Sequence, residues 1–437
     1  MSFRETLVGI LPADWKVDVI DNLKANKRNA ISMGPFGSKI KKECFVVSGI
    51  PIIRGTNLKP FYFNEDEFVF VTEEKSLELK SSFVERKDIV ITHRGTLGQV
   101  GYIPEGSKFQ KYIVSQSGMK LTCDENKIIS KFLYYYLNSS MGQNFLLMNR
   151  SQVGVPAIAQ ASTALKKIPV PIPSLTEQKA IAHILSTLDE KIEVNNQINK
   201  TLEKMAQAIF KQWFVDFEFP NEDGEPYQSS GGEMVESELG LVPKGWEVAE
   251  LQDVAQITMG QSPKGTSYNE TGEGMVFYQG RTDFNKRFPL RRLFTTEPKR
   301  IAKKGDILLS VRAPVGDLNI ANEDCCIGRG LGALRSKEGF DSYLLCTMFK
   351  LKEKFDIFNG EGTVFGSINK NDLCSLKIIK APDDVISQFE KVVSLIDKQI
   401  YTLEMESRKL TRIRDELLPR LMSGEIRVPF LDGFNEL

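Results

Sequence analysis

Residues 168–214 read IPVPIPSLTEQKAIAHILSTLDEKIEVNNQINKTLEKMAQAIFKQWF, and this stretch decides the fold. Pro169, Pro171 and Pro173 alternate, and each ring locks φ, so the segment is stiff and extended. Ser174-Leu-Thr-Glu177 has the spacing of a capping box, which starts a helix. Ile181, Leu188, Asn195, Leu202 and Ile209 then fall every seven residues, with Leu185, Ile192 and Trp213 on a companion stripe. A sustained seven-residue period predicts coiled-coil packing, and a buried Asn in such a line fixes register at some cost in stability. A helix over residues 177–213 would span roughly 55 Å at ~1.5 Å per residue.

The same pattern returns near the C-terminus. Phe389, Ile396, Leu403, Leu410 and Leu417 repeat the seven-residue line, each 208 residues after its counterpart (389 less 181), with Val393, Ile400 and Leu421 beside it. Pro419 is expected to limit this second helix. Two further matches precede it in the same order. Pro12-Ala-Asp-Trp15-Lys-Val17 recurs as Pro243-Lys-Gly-Trp246-Glu-Val248, and Asp88 to Arg94 recurs as Asp306 to Arg312. Three collinear matches indicate a duplicated module, each copy a globular part followed by a long helix. The matched registers favour pairing of the two helices with each other over packing of each on its own domain alone.

Within the globular parts, Phe68–Val71, Asp88–Thr92 and Asp306–Ser310 have strand character between Gly, Asn and Pro turns. Phe132–Leu137 and Tyr343–Phe349 read as short buried helices. The fold class is therefore α/β: two mixed α/β globular domains in pseudo-two-fold tandem, separated by two long antiparallel coiled-coil helices. The boundaries are 1–173 for the first domain, 174–215 for the first helix, 216–242 for a linker, 243–382 for the second domain, and 383–437 for the second helix and tail. The linker is rich in Glu, Gly and Ser, lacks basic residues, and reads as exposed and flexible.

Composition excludes several functions. The 437 residues are 41% hydrophobic and 26% charged, an ordinary globular balance. No run of apolar residues is long enough to span a membrane, and the N-terminus lacks the apolar core of a secretory signal. The six cysteines show no CxxC spacing, which fits a reducing cytoplasm and gives no metal framework. His93 and His183 are the only histidines, so His-based catalysis has little to draw on. There is no Asn/Asp-Pro-Pro-Tyr/Phe methyltransferase loop and no GxxxxGK[ST] loop. Pro382-Asp383 is the sole hint of a nuclease motif, and Asp383 is better placed as a helix cap.

The net charge is zero, from 57 basic and 57 acidic residues, but it is segregated. Residues 1–170 carry 23 Lys/Arg against 16 Asp/Glu, and residues 241–382 carry 21 against 17; residues 171–240 carry 5 against 13, and 383–437 carry 8 against 11. The two basic blocks suit phosphate contact, and the two acidic blocks suit protein partners.

At Ile168 to Phe219 the sequence resembles the central conserved region of the specificity (S) subunit of type I restriction–modification enzymes. The linker around Asn221 to Val248, the two Pro-x-x-Trp-x-Val starts and the C-terminal RIRDELLPRLMSGEI extend the resemblance over nearly the whole chain. It implies two target-recognition domains, each reading one half of a bipartite double-stranded DNA site, with the helices as a ruler for the gap. It implies two adenine-N6 methyltransferase subunits and two motor–nuclease subunits as partners. S-adenosylmethionine, ATP and Mg2+ would then sit on those partners, with no cofactor, metal or catalytic site in this chain. A duplicated coiled-coil scaffold that binds protein and not DNA is the alternative. Salt-dependent affinity for duplex DNA separates the two.

Base reading calls for Arg toward guanine and Asn or Gln toward adenine, and phosphate contact for Lys and Arg. In the first domain the candidates are Arg54 and Asn57, Arg94, and Arg150 and Gln152, all in polar loops after apolar runs. In the second domain their counterparts are Arg281, Arg312 and Arg329, the last answering Arg150. Arg94 and Arg312 end matched strands and form the firmest pair. Lys39, Lys41 and Lys42 are candidate phosphate contacts.

Overall fold

The computed structural model describes residues 2–36, 39–151, 154–359 and 366–428. The chain divides into two compact units. The first is Met1–Gln197 with Glu404–Leu437, and the second is Ile198–Leu403. Each unit thus holds one globular domain and a part of each long helix: α1, Leu175–Phe214, and α2, Asp383–Met422.

In the first unit an antiparallel sheet runs in the order Val100–Tyr102, Ile89–Thr92, Gly118–Leu121, Ile31–Met33. A mixed sheet runs Val69–Val71, Ile50–Ile53, Lys111–Val114, Phe83–Glu85, with Ile50–Ile53 parallel to Lys111–Val114. The second unit repeats this plan. Ala255–Met259, Leu331–Ser336, Ile307–Ser310 and Leu318–Ile320 form the antiparallel sheet. In the mixed sheet Met275–Tyr278 lies parallel to Cys325–Ile327. Ile89–Thr92 and Ile307–Ser310 are buried along their whole length, as central strands must be, and this explains their near-continuous apolar sequence. The two short buried helices expected from the sequence form as Ser130–Asn138 and Asp341–Lys350.

The proline-rich segment is extended, as its sequence requires. Pro169–Ile172 pairs with Lys16–Val19, an edge position that tolerates proline. At the start of α1 only half of the expected capping box forms. The Ser174 hydroxyl accepts from the Glu177 N–H at 3.2 Å. The Glu177 carboxylate turns away, because Arg427 donates to both of its oxygens at 2.6 and 2.9 Å and the buried Trp15 indole donates at 3.2 Å. Pro419 does not limit α2, which runs on to Met422. Proline this near a C-terminus removes one hydrogen bond close to where the ladder ends.

In the first unit α1 and α2 pair antiparallel. Asn195 is fully buried, and its amide donates to Glu406 at 2.8 Å and to Ser407 at 3.3 Å. Arg414 donates to Asp189 at 2.8 Å, and Ile181 and Leu185 share one core with Leu418, Leu421 and Met422. In the second unit Phe389 contacts Phe210 and Trp213 at ring separations of 5.9 and 6.0 Å. Each pair of helix segments also carries its own domain, so pairing and domain packing coexist.

The heptad lines are partly displaced. Ile181, Asn195, Phe389 and Leu403 are buried, whereas Leu188, Leu202, Ile209, Ile396, Leu410 and Leu417 are half-buried. Burial follows the companion stripes more closely, with the seven-residue period kept. On α1 Leu185, Asn199 and Ala206 are buried, with Phe210 and Phe214 beside the end of the stripe. On α2 the buried line is Ile386, Val393, Ile400, Ser407, Arg414 and Leu421. Ser407 and Arg414 fill the gap between Ile400 and Leu421 that an apolar reading leaves.

The segment after α1 is not the free linker its composition suggests. Phe217 and Phe219 are buried with Phe214 and Trp246, at ring separations of 5.4 and 5.1 Å from Trp246, and Tyr227 stacks on Phe219 at 4.7 Å. The acidic residues are on the outside, and the aromatics between them anchor the segment.

Candidate nucleic-acid interface

In the first unit, five loops meet at one end of the two sheets through a chain of backbone hydrogen bonds. Gly34 N–H donates to Gly118 O, Ser115 N–H to Ile53 O, His93 N–H to Ser117 O, Ile158 N–H to His93 O and Gly95 N–H to Pro156 O, all at 2.9 Å. Arg54, Arg94 and Arg150 thereby lie on one connected rim. Arg94 forms an isolated bridge to Ala157, and Arg150 pairs with Ile158 in the short hairpin beside it. Arg54, Arg94 and Arg150 are exposed. Among the described residues no carboxylate forms an ion pair with any of the three. Unpaired guanidinium groups on a loop rim keep their donors for phosphate or for the guanine edge.

The second unit builds the same rim. Gly260 N–H donates to Leu331 O at 2.9 Å, Gly328 N–H to Tyr278 O at 2.8 Å, Val311 N–H to Gly330 O at 2.9 Å and Ile368 N–H to Val311 O at 3.1 Å. Arg312 bridges to Ser367 as Arg94 does to Ala157. Arg312 and Arg329 are exposed, with no ion pair to a carboxylate among the described residues. Arg281 differs, since Asp317 engages it at 2.6 Å.

Two expectations need correcting. Asn57 is not a base contact. It is fully buried, its carbonyl oxygen accepts from the Arg54 N–H, and its amide donates to Asn64 O and Glu67 O. It holds the rim loop in shape, as Asp283 does in the second unit by accepting from Gln279 N–H at 2.7 Å. Second, Arg329 is the counterpart of Gln116 and not of Arg150, because His93 binds Ser117 as Val311 binds Gly330. Gln116 is exposed on the rim, with the side-chain chemistry to read adenine, and was missed. Its signal was available: Ser115-Gln116-Ser117 follows an apolar run as Gly328-Arg329-Gly330 does. Lys39, Lys41 and Lys42 are exposed just after the Gly34 loop. Gln152 lies outside the described residues.

Gly34 and Gly260 let the loops close. A Cβ on Gly34 would lie 1.9 Å from Ser115 O, and one on Gly260 would lie 2.1 Å from Gly328 O. Gly34→Ala is expected to push the Gly34 loop off the 115–118 turn, costing about 1–3 kcal/mol and weakening DNA binding. Gly106→Ala, with nothing within 4 Å, is the control. Equal melting points and equal affinities for both variants would refute the packing argument.

The sequence profile of the type I restriction modification DNA specificity domain matches residues 37–204 and again 243–413. A specificity subunit of Methanocaldococcus jannaschii, named for the MjaX type I restriction enzyme, is 31% identical over 434 residues, covering 98% of this chain and 97% of its own length. The chain belongs to the type I restriction–modification DNA specificity family. The HindI specificity subunit of Haemophilus influenzae is 26% identical over 75% of this chain and 84% of its own. In fold, the S subunit from M. genitalium aligns with a TM-score of 0.59 at 17% identity, over 96% of this chain and 97% of that one.

Family membership makes this chain the DNA specificity subunit of a type I system and not its catalytic part. The tandem profile match coincides with the two rims, one in each matched region. No described helix is long and apolar enough to cross a membrane. Among the described residues no group of three or more His, Cys, Asp or Glu side chains is arranged to hold a metal. His93 lies buried beneath Arg94, where burial depresses its proton affinity.

Proposed function

We propose that each rim reads one half of a bipartite double-stranded DNA site, and that α1 and α2 set the gap between the halves. The observation that carries this is the double construction of one loop rim, with unpaired arginines at Arg94 and Arg312 held by matching backbone bridges. Arg54, Arg150, Arg329 and the lysines at 39, 41 and 42 supply further phosphate or base contacts, and Gln116 an adenine contact. Two methyltransferase subunits then carry S-adenosylmethionine to adenine N6, and two motor–nuclease subunits use ATP and Mg2+, in the cytoplasm. Exposed positions of the helices, among them Val194, Met205 and Leu395, are candidate contacts for these partners.

Inserting four residues at matched points of α1 and α2 tests the ruler. It adds about 6 Å of helix, close to two base pairs at ~3.4 Å each. The methylated motif is expected to keep both half-sites and lengthen its gap by about two base pairs. An active complex with an unchanged gap would reject the ruler.

A further inference from the structure

The two units hold the same half-buried carboxylate but neutralise it from opposite sides. In the first, Asp189 accepts from Arg414 of α2 at 2.8 Å and from the Tyr135 hydroxyl at 2.6 Å. Phe61, from the globular domain, lies against this guanidinium at 3.9 Å and stacks on Tyr135 at 6.0 Å. In the second, the equivalent Asp397 binds Arg287, which comes from the globular domain, is 8% exposed and also pairs with Glu203 of α1 at 3.7 Å. The equivalence is positional. Asp397 follows Asp189 by 208 residues (397 less 189), the interval of the helix repeat. The bond from Asn64 N–H to Asn57 O recurs as Leu290 N–H to Asp283 O, both 2.8 Å, which puts Phe61 and Arg287 at one place in the repeated loop. The residue matching Arg414 at the 208 interval is the buried Ala206 (414 less 206). Cys346 stands five residues into its helix, as the larger Tyr135 does in the first unit.

We propose that this exchange makes the two helix seats selective for their own domains. A domain carrying Arg at the 287 position, placed on the Asp189–Arg414 seat, would bring a second guanidinium against Asp189, whose charge Arg414 already offsets while it also holds Asp415 at 2.7 Å. A domain carrying Phe at the 61 position, placed on the Asp397 seat, would leave this half-buried carboxylate without the cation that faces it. Either mismatch leaves unbalanced charge in a partly desolvated site, the costly case for ion pairs. The seats therefore reject the wrong domain, whether from the same chain or from a second copy. The inference holds whatever the domains bind, so it stands or falls apart from the DNA reading.

Thermal unfolding of the full chain tests it in both directions. Arg287→Phe and Arg414→Ala are each expected to lower the midpoint on the order of 10 °C. Arg287→Phe with Ala206→Arg, and Arg414→Ala with Phe61→Arg, each move the guanidinium to the other side of the carboxylate and are expected to recover at least half of that loss. Ala206→Arg and Phe61→Arg alone add a second cation and are expected to destabilise, so the sign of their effect reverses with the partner change. Recovery in either unit supports the exchange, because side-chain fit could defeat one direction. Double variants no more stable than their Arg287→Phe and Arg414→Ala parents in both units would overturn it, as would single variants that melt with the parent chain.

Discussion

Phe389→Ala is expected to destabilise the second unit by about 3–5 kcal/mol, lowering its melting midpoint by roughly 10 °C. Phe389 is fully buried where the two helices and the second domain converge, with Phe214 at 5.1 Å, Phe210 at 5.9 Å and Trp213 at 6.0 Å. Losing the ring leaves a cavity walled by three other aromatics that cannot collapse together without moving α1 against α2. Leu395→Ala, on the same helix but 64% exposed, is expected to stay within about 0.5 kcal/mol. Calorimetry of both variants checks the contrast, and a Phe389 variant melting with the parent would show that this cluster does not hold the helix pair.

Removing Arg54, Arg94 and Arg150 together is expected to weaken binding of target DNA a hundredfold or more, since base-reading arginines contribute about 1–3 kcal/mol each and phosphate contacts add to that. If all three reach phosphate, the slope of log affinity against log salt falls in magnitude by about 2–3. The loss concerns one half-site, because the second rim keeps Arg312 and Arg329. Arg94→Ala and Arg312→Ala separately are expected to relax opposite halves of the motif. Fluorescence-anisotropy titrations over a salt series measure this with duplexes mutated in either half. Unchanged selectivity in both single variants would remove these arginines from the reading surface.

Much of the architecture was legible because it rests on long, repeated patterns. The heptad lines of Ile181 and Phe389, the Trp15 and Trp246 starts and the strands before Arg94 and Arg312 each occur twice, and repetition separates signal from chance. What stayed hidden depends on tertiary partners. Asn57 looks like a base reader in sequence, and only the backbone groups around it show an internal cap. Arg414 and Ser407 lie on the buried seam but carry polar side chains, so no apolar count finds them; Asp189 and Asn195 explain their burial. The acidic stretch after α1 reads as a linker until Phe217 and Phe219 meet Trp246. The exchange of Arg414 for Arg287 was out of reach for the same reason, since it joins residues from different parts of the chain around carboxylates that the duplication alone identifies.

The most direct test of the central claim is a single-molecule methylome of cells carrying the cognate methyltransferase subunit, with and without this chain. N6-methyladenine is predicted at one bipartite motif, only when this chain is present, with Arg94→Ala relaxing one half and Arg312→Ala the other. Methylation of the same sites with and without the chain, in cells where it co-purifies with the methyltransferase, would contradict its role in choosing the target.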